Sequence, residues 1–165
     1  MNDLIDHMPA AHDAYRNQAL ALLNLQKTMV LGVHADGAPW VAPVYFVFVQ
    51  PGIYFFSSPR SIHIQAARSQ AAAAGAIFAE SDQWLQIRGL QMTGQVEEIQ
   101  GPLEKLRITT RYLNKFPLAR ELMATEIDKI PGLAQRVGLY VFWPAQVYCT
   151  DNREGFGRRV QVQLW

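Results

Sequence analysis

Apolar residues recur along this chain in several rhythms. From Asp13 to Gln26, Tyr15, Ala19, Leu22 and Leu23 fall at helical spacing while Arg16, Asn17 and Gln18 lie off the stripe, which predicts an amphipathic helix. The rhythm then shortens. TMVLGV (28–33) and WVAPVYFVF (40–48) are rich in β-branched and aromatic residues and flank HADGAP, whose Asp36-Gly37 pair is a hairpin signal. Gln50-Pro51-Gly52 turns the chain into IYFFSS, predicted to run antiparallel to the second strand. Ile53, Phe55 and Ser57 should point to one side of it and Tyr54, Phe56 and Ser58 to the other.

IHIQAARSQAAA returns to helix formers, and AGAIFAE (74–80) reads as a short strand. WLQIRGLQMTGQVEEIQ (84–100) is a long extended run in which Gly89 and Gly94 invite the bends of a closed barrel. Gly101-Pro102 ends it. Proline at a helix start, followed by Leu103, Leu106, Tyr112 and Leu113, predicts a helix that breaks near Pro117. VGLYVFW (137–143) and AQVYCT (145–150) read as strands around Pro144, and RRVQVQLW (158–165) alternates after the loop DNREGFG. Six to eight strands with few helices and no βαβ rhythm predict a mainly β fold, an antiparallel barrel with helices attached.

Composition narrows the class. At 165 residues the chain suits a single domain, 1–165, with residues 1–12 as a loose N-terminal arm. Lys and Arg number 15 against 14 acids, a net charge of +1, so nothing suggests a nucleic-acid partner. Cys149 is the only cysteine, which excludes an internal disulfide and favours a reducing compartment such as the cytoplasm. There is no signal-peptide core, and no apolar run of about 20 residues for a membrane span, so no membrane partner is expected. The four histidines, at 7, 12, 34 and 63, lack zinc-ligand spacing. Cys149, between Tyr148 and Thr150, carries no cue for a reactive thiolate.

The densest chemistry lies in YFFSSPRSIHIQ (54–65). If Ser61 caps the following helix, its hydroxyl and the first free N–H groups make an anion site to which His63 adds a donor. Ser57 ends the preceding strand, Ser58 and Arg60 sit on the turn, and a phosphate is the natural guest. The residues alone favour a plain helix cap with a solvated arginine and an exposed histidine, because such caps are common.

The order of elements sharpens this. A G-x-x-x-x-P-V-x-F strand, an aromatic strand ending in Ser, an S-x-H helix start and an R-G-x-Q-x-x-G-x-V strand together resemble the pyridoxamine 5′-phosphate oxidase-like family of FMN-binding split barrels, over about residues 13 to 165. The resemblance implies a six-stranded antiparallel split β-barrel with flanking helices. It implies that Ser57 and Ser61-Ile62-His63 grip the FMN phosphate, with Ile62 and His63 standing where the family commonly has arginine and lysine. Backbone groups of Ala42, Pro43 and Val44 would lie beside the flavin ring, with Arg88 or Gln91 reaching it from the long strand. Tyr148 and Arg158 would approach a flavin bound mainly by a neighbouring subunit. An arginine on the apolar face of Val160, Val162 and Leu164 needs a partner, and Asp151 or Glu154 would serve as well as a flavin.

Where the family's true oxidases hold substrate with a lysine, a tyrosine and an arginine, this chain has Phe46, Tyr112 and Phe116, so the resemblance implies an uncharacterised branch acting on another small molecule or electron donor. It further implies a homodimer with FMN at the subunit interface, as a flavin-dependent oxidoreductase. The alternative is a non-catalytic flavin, haem or pyridoxal-phosphate carrier, for which His34 or His63 would be the axial ligand to haem.

Overall fold

The computed structural model describes residues 9–69, 72–126 and 136–165. Residues 1–8 of the expected arm lie outside them, while Pro9 to His12 already belong to the first helix. The elements are α1 (Pro9–Leu25), β1 (Thr28–Ala35), β2 (Ala38–Val49), β3 (Gly52–Ser57), α2 (Ile62–Ser69), β4 (Ala73–Ala79), a 3-10 turn (Trp84–Gln86), β5 (Arg88–Glu98), α3 (Pro102–Lys115), α4 (Pro117–Glu126), β6 (Gly138–Asp151) and β7 (Arg159–Gln161). Ala35 pairs with Ala38, so Asp36-Gly37 form a two-residue hairpin turn, and both have the positive φ (49° and 79°) that such a turn requires.

All strand pairings are antiparallel, in the order β3-β2-β1-β4-β5-β6-β7. Ile53 to Ser57 also pair with Phe142 to Gly138, which closes six strands into a ring and leaves β7 attached to β6. The fold is therefore the split barrel with flanking helices. Inside the ring, Met29, Leu31, Phe46, Ile53, Phe55, Leu90 and Phe142 form a continuous core joined by Tyr15, Ala19, Leu22 and Leu23 of α1 and Ile64 and Ala67 of α2. A second core lies outside it, where Val47, Tyr54, Leu139 and Val141 meet Ile108 of α3. β3 is covered on both faces, which is why IYFF is apolar without interruption.

Three expectations change. The strands read on either side of Pro144 are one continuous strand, because the β5–β6 register shifts between Thr93 and Gly94. Gly94 faces Pro144 while Thr93 faces Gln146, so Ala145 is the extra residue of a bulge that tolerates the missing proline N–H. The last strand is three residues long instead of the full alternating run. Beyond it the Val162 N–H still donates to Val147 O (2.9 Å), and Val162 and Leu164 remain buried, so the apolar alternation reports packing more than pairing. Trp84–Gln86, read as strand, forms the 3-10 turn that precedes β5. Among the described residues no helix is long and apolar enough to cross a membrane.

Candidate functional site

The junction from β3 to α2 gathers the polar groups that the sequence placed there. Ser58 O accepts from the Ser61 N–H (3.1 Å) and the Ser61 hydroxyl (2.8 Å), and the Arg60 N–H donates to Ser58 Oγ (3.3 Å). Ser61 O then accepts from the N–H groups of Ile64 and Gln65, making Ser61 the capping residue. Its hydroxyl turns inward, 3.2 Å from both Ser57 Oγ and His63 Nε2, and Ser57 Oγ lies 2.7 Å from His63 Nε2.

The proton count of this triangle is informative. The Ser61 proton goes to Ser58 O, so Ser61 Oγ acts as acceptor towards its other neighbours. With hydrogen on His63 Nε2, a chain runs from His63 to Ser57 to Ser61 to Ser58 O and every proton is placed. Burial pushes the His63 pKa below its ordinary value, so the ring is neutral at neutral pH. All three side chains are half-buried at the start of an eight-residue helix whose first N–H groups point outward along the axis. In this arrangement the three protons satisfy one another, and a phosphate at the helix N-terminus would take them by turning the Ser57 hydroxyl and the His63 N–H from their internal acceptors to its oxygens. Ile62, exposed beside this cradle, adds no charge.

β2 runs along the same side of the molecule. It pairs with β3 only from Phe46 to Val49, so its edge is open over residues 38–45 among the described residues. Phe46 N–H donates to Lys27 O (3.0 Å), and antiparallel bonding alternates, so Ala42 and Val44 turn their backbone groups to β1. Val41, Pro43 and Tyr45 turn theirs to the open edge. Of the three backbone candidates only Pro43 is so placed, and Val41 and Tyr45 join it. Pairing phase carries that signal, and the side-chain pattern does not. Ala42 and Val44 are buried in the barrel, whereas Pro43 is exposed.

The remaining candidates stand elsewhere. Ser57 pairs with Gly138 at one end of β6, whereas Arg88 pairs with Asp151 at the other. Gln91 faces Tyr148 across β5 and β6 and accepts from Arg159 Nη1 (2.9 Å). Arg158 lies over the Tyr15 ring, 5.9 Å from its centroid. Asp151 is fully buried and engaged by Arg153, with Nη2 to Oδ2 at 2.6 Å, so it serves Arg153 and not Arg158. The structure thus unites Ser57, Ser61 and His63, and separately Gln91 and Tyr148, without bringing the two groups together.

Beside the second core, the rings of Phe56, Tyr112 and Phe116 pack on one another at 4.9 and 4.7 Å, and Lys115 Nζ sits 4.2 Å from the Phe46 centroid. Cys149 has no exposed surface, and burial, helped by Asp151, pushes its thiol up to about 11. Native protein at pH 8 should therefore resist an aromatic disulfide reagent and release one equivalent of thiol only on denaturation. Complete labelling within minutes under native conditions would contradict this burial.

Comparison with known proteins agrees with this architecture. The chain belongs to the pyridoxamine 5′-phosphate oxidase family, whose model matches residues 15–132. It is 27% identical over 140 residues to a UPF0306 protein of Klebsiella pneumoniae (strain 342), covering 84% of this chain and 86% of that protein. Among solved structures it is similar to a heme binding protein from Mycobacterium smegmatis, with a TM-score of 0.68 and 18% identity over 94% of this chain and 59% of the other. It is also similar to a FAD-binding protein from Mesorhizobium loti, with a TM-score of 0.61 and 18% identity over 79% and 90% of the two chains. At these identities the structural likeness speaks for the fold alone.

Proposed function

We propose that this protein is an FMN-binding flavoprotein, an oxidoreductase acting on a small molecule, with the cofactor phosphate held by Ser57, Ser61 and His63. The observation that carries this reading is the convergence of those three side chains on the N-terminus of α2. The open edge of β2 at Val41, Pro43 and Tyr45 supports it by offering backbone groups beside the cradle. When bound, FMN supplies hydride or electron transfer, chemistry for which the protein need provide only position and polarity. Cradle donors hold the phosphate, and the neutral His63 contributes one N–H without the charge of the family's lysine.

A homodimer belongs to the same proposal. Val41, Tyr45 and Phe78 are exposed on the outer face of β2 and β4, an apolar surface that a second copy would cover. Gln91 and Tyr148, remote from the cradle in one chain, would reach the flavin from that second copy. Light scattering during gel filtration should give twice the chain mass.

The test of the cofactor is a titration of FMN, read by quenching of its fluorescence. Wild type should saturate, and Ser57→Ala with His63→Ala should bind about a hundredfold more weakly, the loss expected for two charge-assisted hydrogen bonds. Folded wild type with no saturable quenching sinks the proposal. Reduction of bound flavin by NADH or NADPH separates an enzyme from a carrier. A haem carrier is the second reading, for which the half-buried His63 at the helix start offers an imidazole nitrogen. A Soret shift lost in His63→Ala or His34→Ala would favour it.

A further inference from the structure

A cleft of about 530 Å³ lies between the 3-10 turn and the loop joining β6 to β7, lined by Gln83, Leu85, Gln86, Arg88, Asn152 and Arg153. It stands by Arg88 and Asp151, at the end of β6 remote from Gly138 and Ser57. Asn152, itself buried, fastens the walls. Its Nδ2 donates to Trp84 O (2.8 Å), its N–H donates to Ile87 O (3.0 Å), and its Oδ1 accepts from the Gly157 N–H (3.1 Å). Gln86 Nε2 donates to Gln83 Oε1 (2.9 Å), which fixes the two amides on the opposite wall relative to each other. The cleft is thus built from cross-linked segments.

Its charge is uneven. Arg153 Nε reaches both oxygens of Asp151 (2.9 and 3.1 Å), so these two residues neutralise each other. The Arg88 side chain has neither a hydrogen bond nor an ion pair among the described residues, and its Nε–H is buried without an acceptor. A guanidinium N–H withdrawn from water and left unpaired is costly, and an oxyanion is the group that relieves it. One uncompensated cation matches a monoanion better than a dianion. The apolar ground is present as well: Leu85 lines the cleft, and Trp84 and Phe156, both exposed, stack at 6.4 Å across the two segments that form its walls.

We propose that this cleft binds a small organic carboxylate with an apolar body, gripped through its carboxylate by Arg88. Benzoate is a suitable probe. Titrated into the isotopically labelled full chain at constant ionic strength, it should produce saturable shifts of the Gln86, Arg88 and Asn152 amide signals. Arg88→Gln should weaken binding about tenfold, the loss of a charge-assisted contact, with the rest of the spectrum unchanged. If Arg88→Gln does not fold, Leu85→Ser, which changes only an exposed wall residue, should weaken benzoate binding several-fold instead. The Ser57→Ala, His63→Ala variant should bind benzoate as wild type does, so failure of the flavin reading and failure of this one are distinguishable. Shifts no larger than those from matched chloride, or equal saturation in wild type and Arg88→Gln, would overturn the site. Tighter saturation by inorganic phosphate would overturn the carboxylate assignment.

Discussion

Gly94→Ala is expected to lower the stability of the protein by about 3 kcal/mol, the upper range for an over-packed interior. A Cβ at this position would stand 2.2 Å from Trp143 O and 2.8 Å from Phe142 Cζ. The first of these is backbone, so no rotamer change relieves it. The strands would have to separate at the bulge opposite Pro144, where β6 crosses from one half of the ring to the other. Gly32→Ala is the matched control, since its Cβ would meet Ala74 Cβ at 3.5 Å, an ordinary contact. Urea unfolding of the three proteins makes the comparison. A Gly94→Ala midpoint within experimental error of wild type would show that the bulge yields without cost.

The second large effect is electrostatic. Lys115 Nζ donates to Gln26 O (2.6 Å) and lies over Phe46, and burial, with Lys27 nearby, pushes its pKa down to about 8. The unfolded chain therefore holds more protons than the folded one between pH 8 and the ordinary lysine value, and stability must rise with pH across that window. The full shift would correspond to about 3 kcal/mol, and because the side chain is only partly buried, solvent screening reduces the expected gain to about 2 kcal/mol. Unfolding of wild type and Lys115→Met at pH 7.5 and pH 10.5 isolates it, because the tyrosines and Cys149 titrate in both and cancel in the difference. Parallel pH profiles for the two proteins would show that Lys115 keeps its ordinary affinity for the proton.

Local chemistry made much of this structure legible in the sequence. Asp36-Gly37, Gln50-Pro51-Gly52, Gly101-Pro102 and Pro117 each mark a real boundary, because turns and breaks are decided by a few neighbouring residues. Ser57, Ser61 and His63 were legible as a group for the same reason: a strand end and a helix start within seven residues must bring their side chains together. Pro144 misled because its tolerance comes from Gly94 on another strand. The alternation of RRVQVQLW misled because burial of Val162 and Leu164 produces the same period as pairing. The Arg88 cleft was hidden for a further reason. Asn152 binds Trp84 and Ile87 across a long stretch of chain, and nothing local to either segment announces the meeting.

The closing pair of the ring, β3 with β6, has a consequence for how the chain folds. β1, β2 and β3 are joined by tight turns and can pair as soon as they are made, whereas Tyr54 meets Val141 only after β4, β5, α3 and α4 have been threaded between them. Closing so long a loop carries an entropic cost that is recovered only when the two strands zip together. Until then β3 presents an unpaired, strongly apolar border, so the interval before closure is when one chain is most exposed to capture by another.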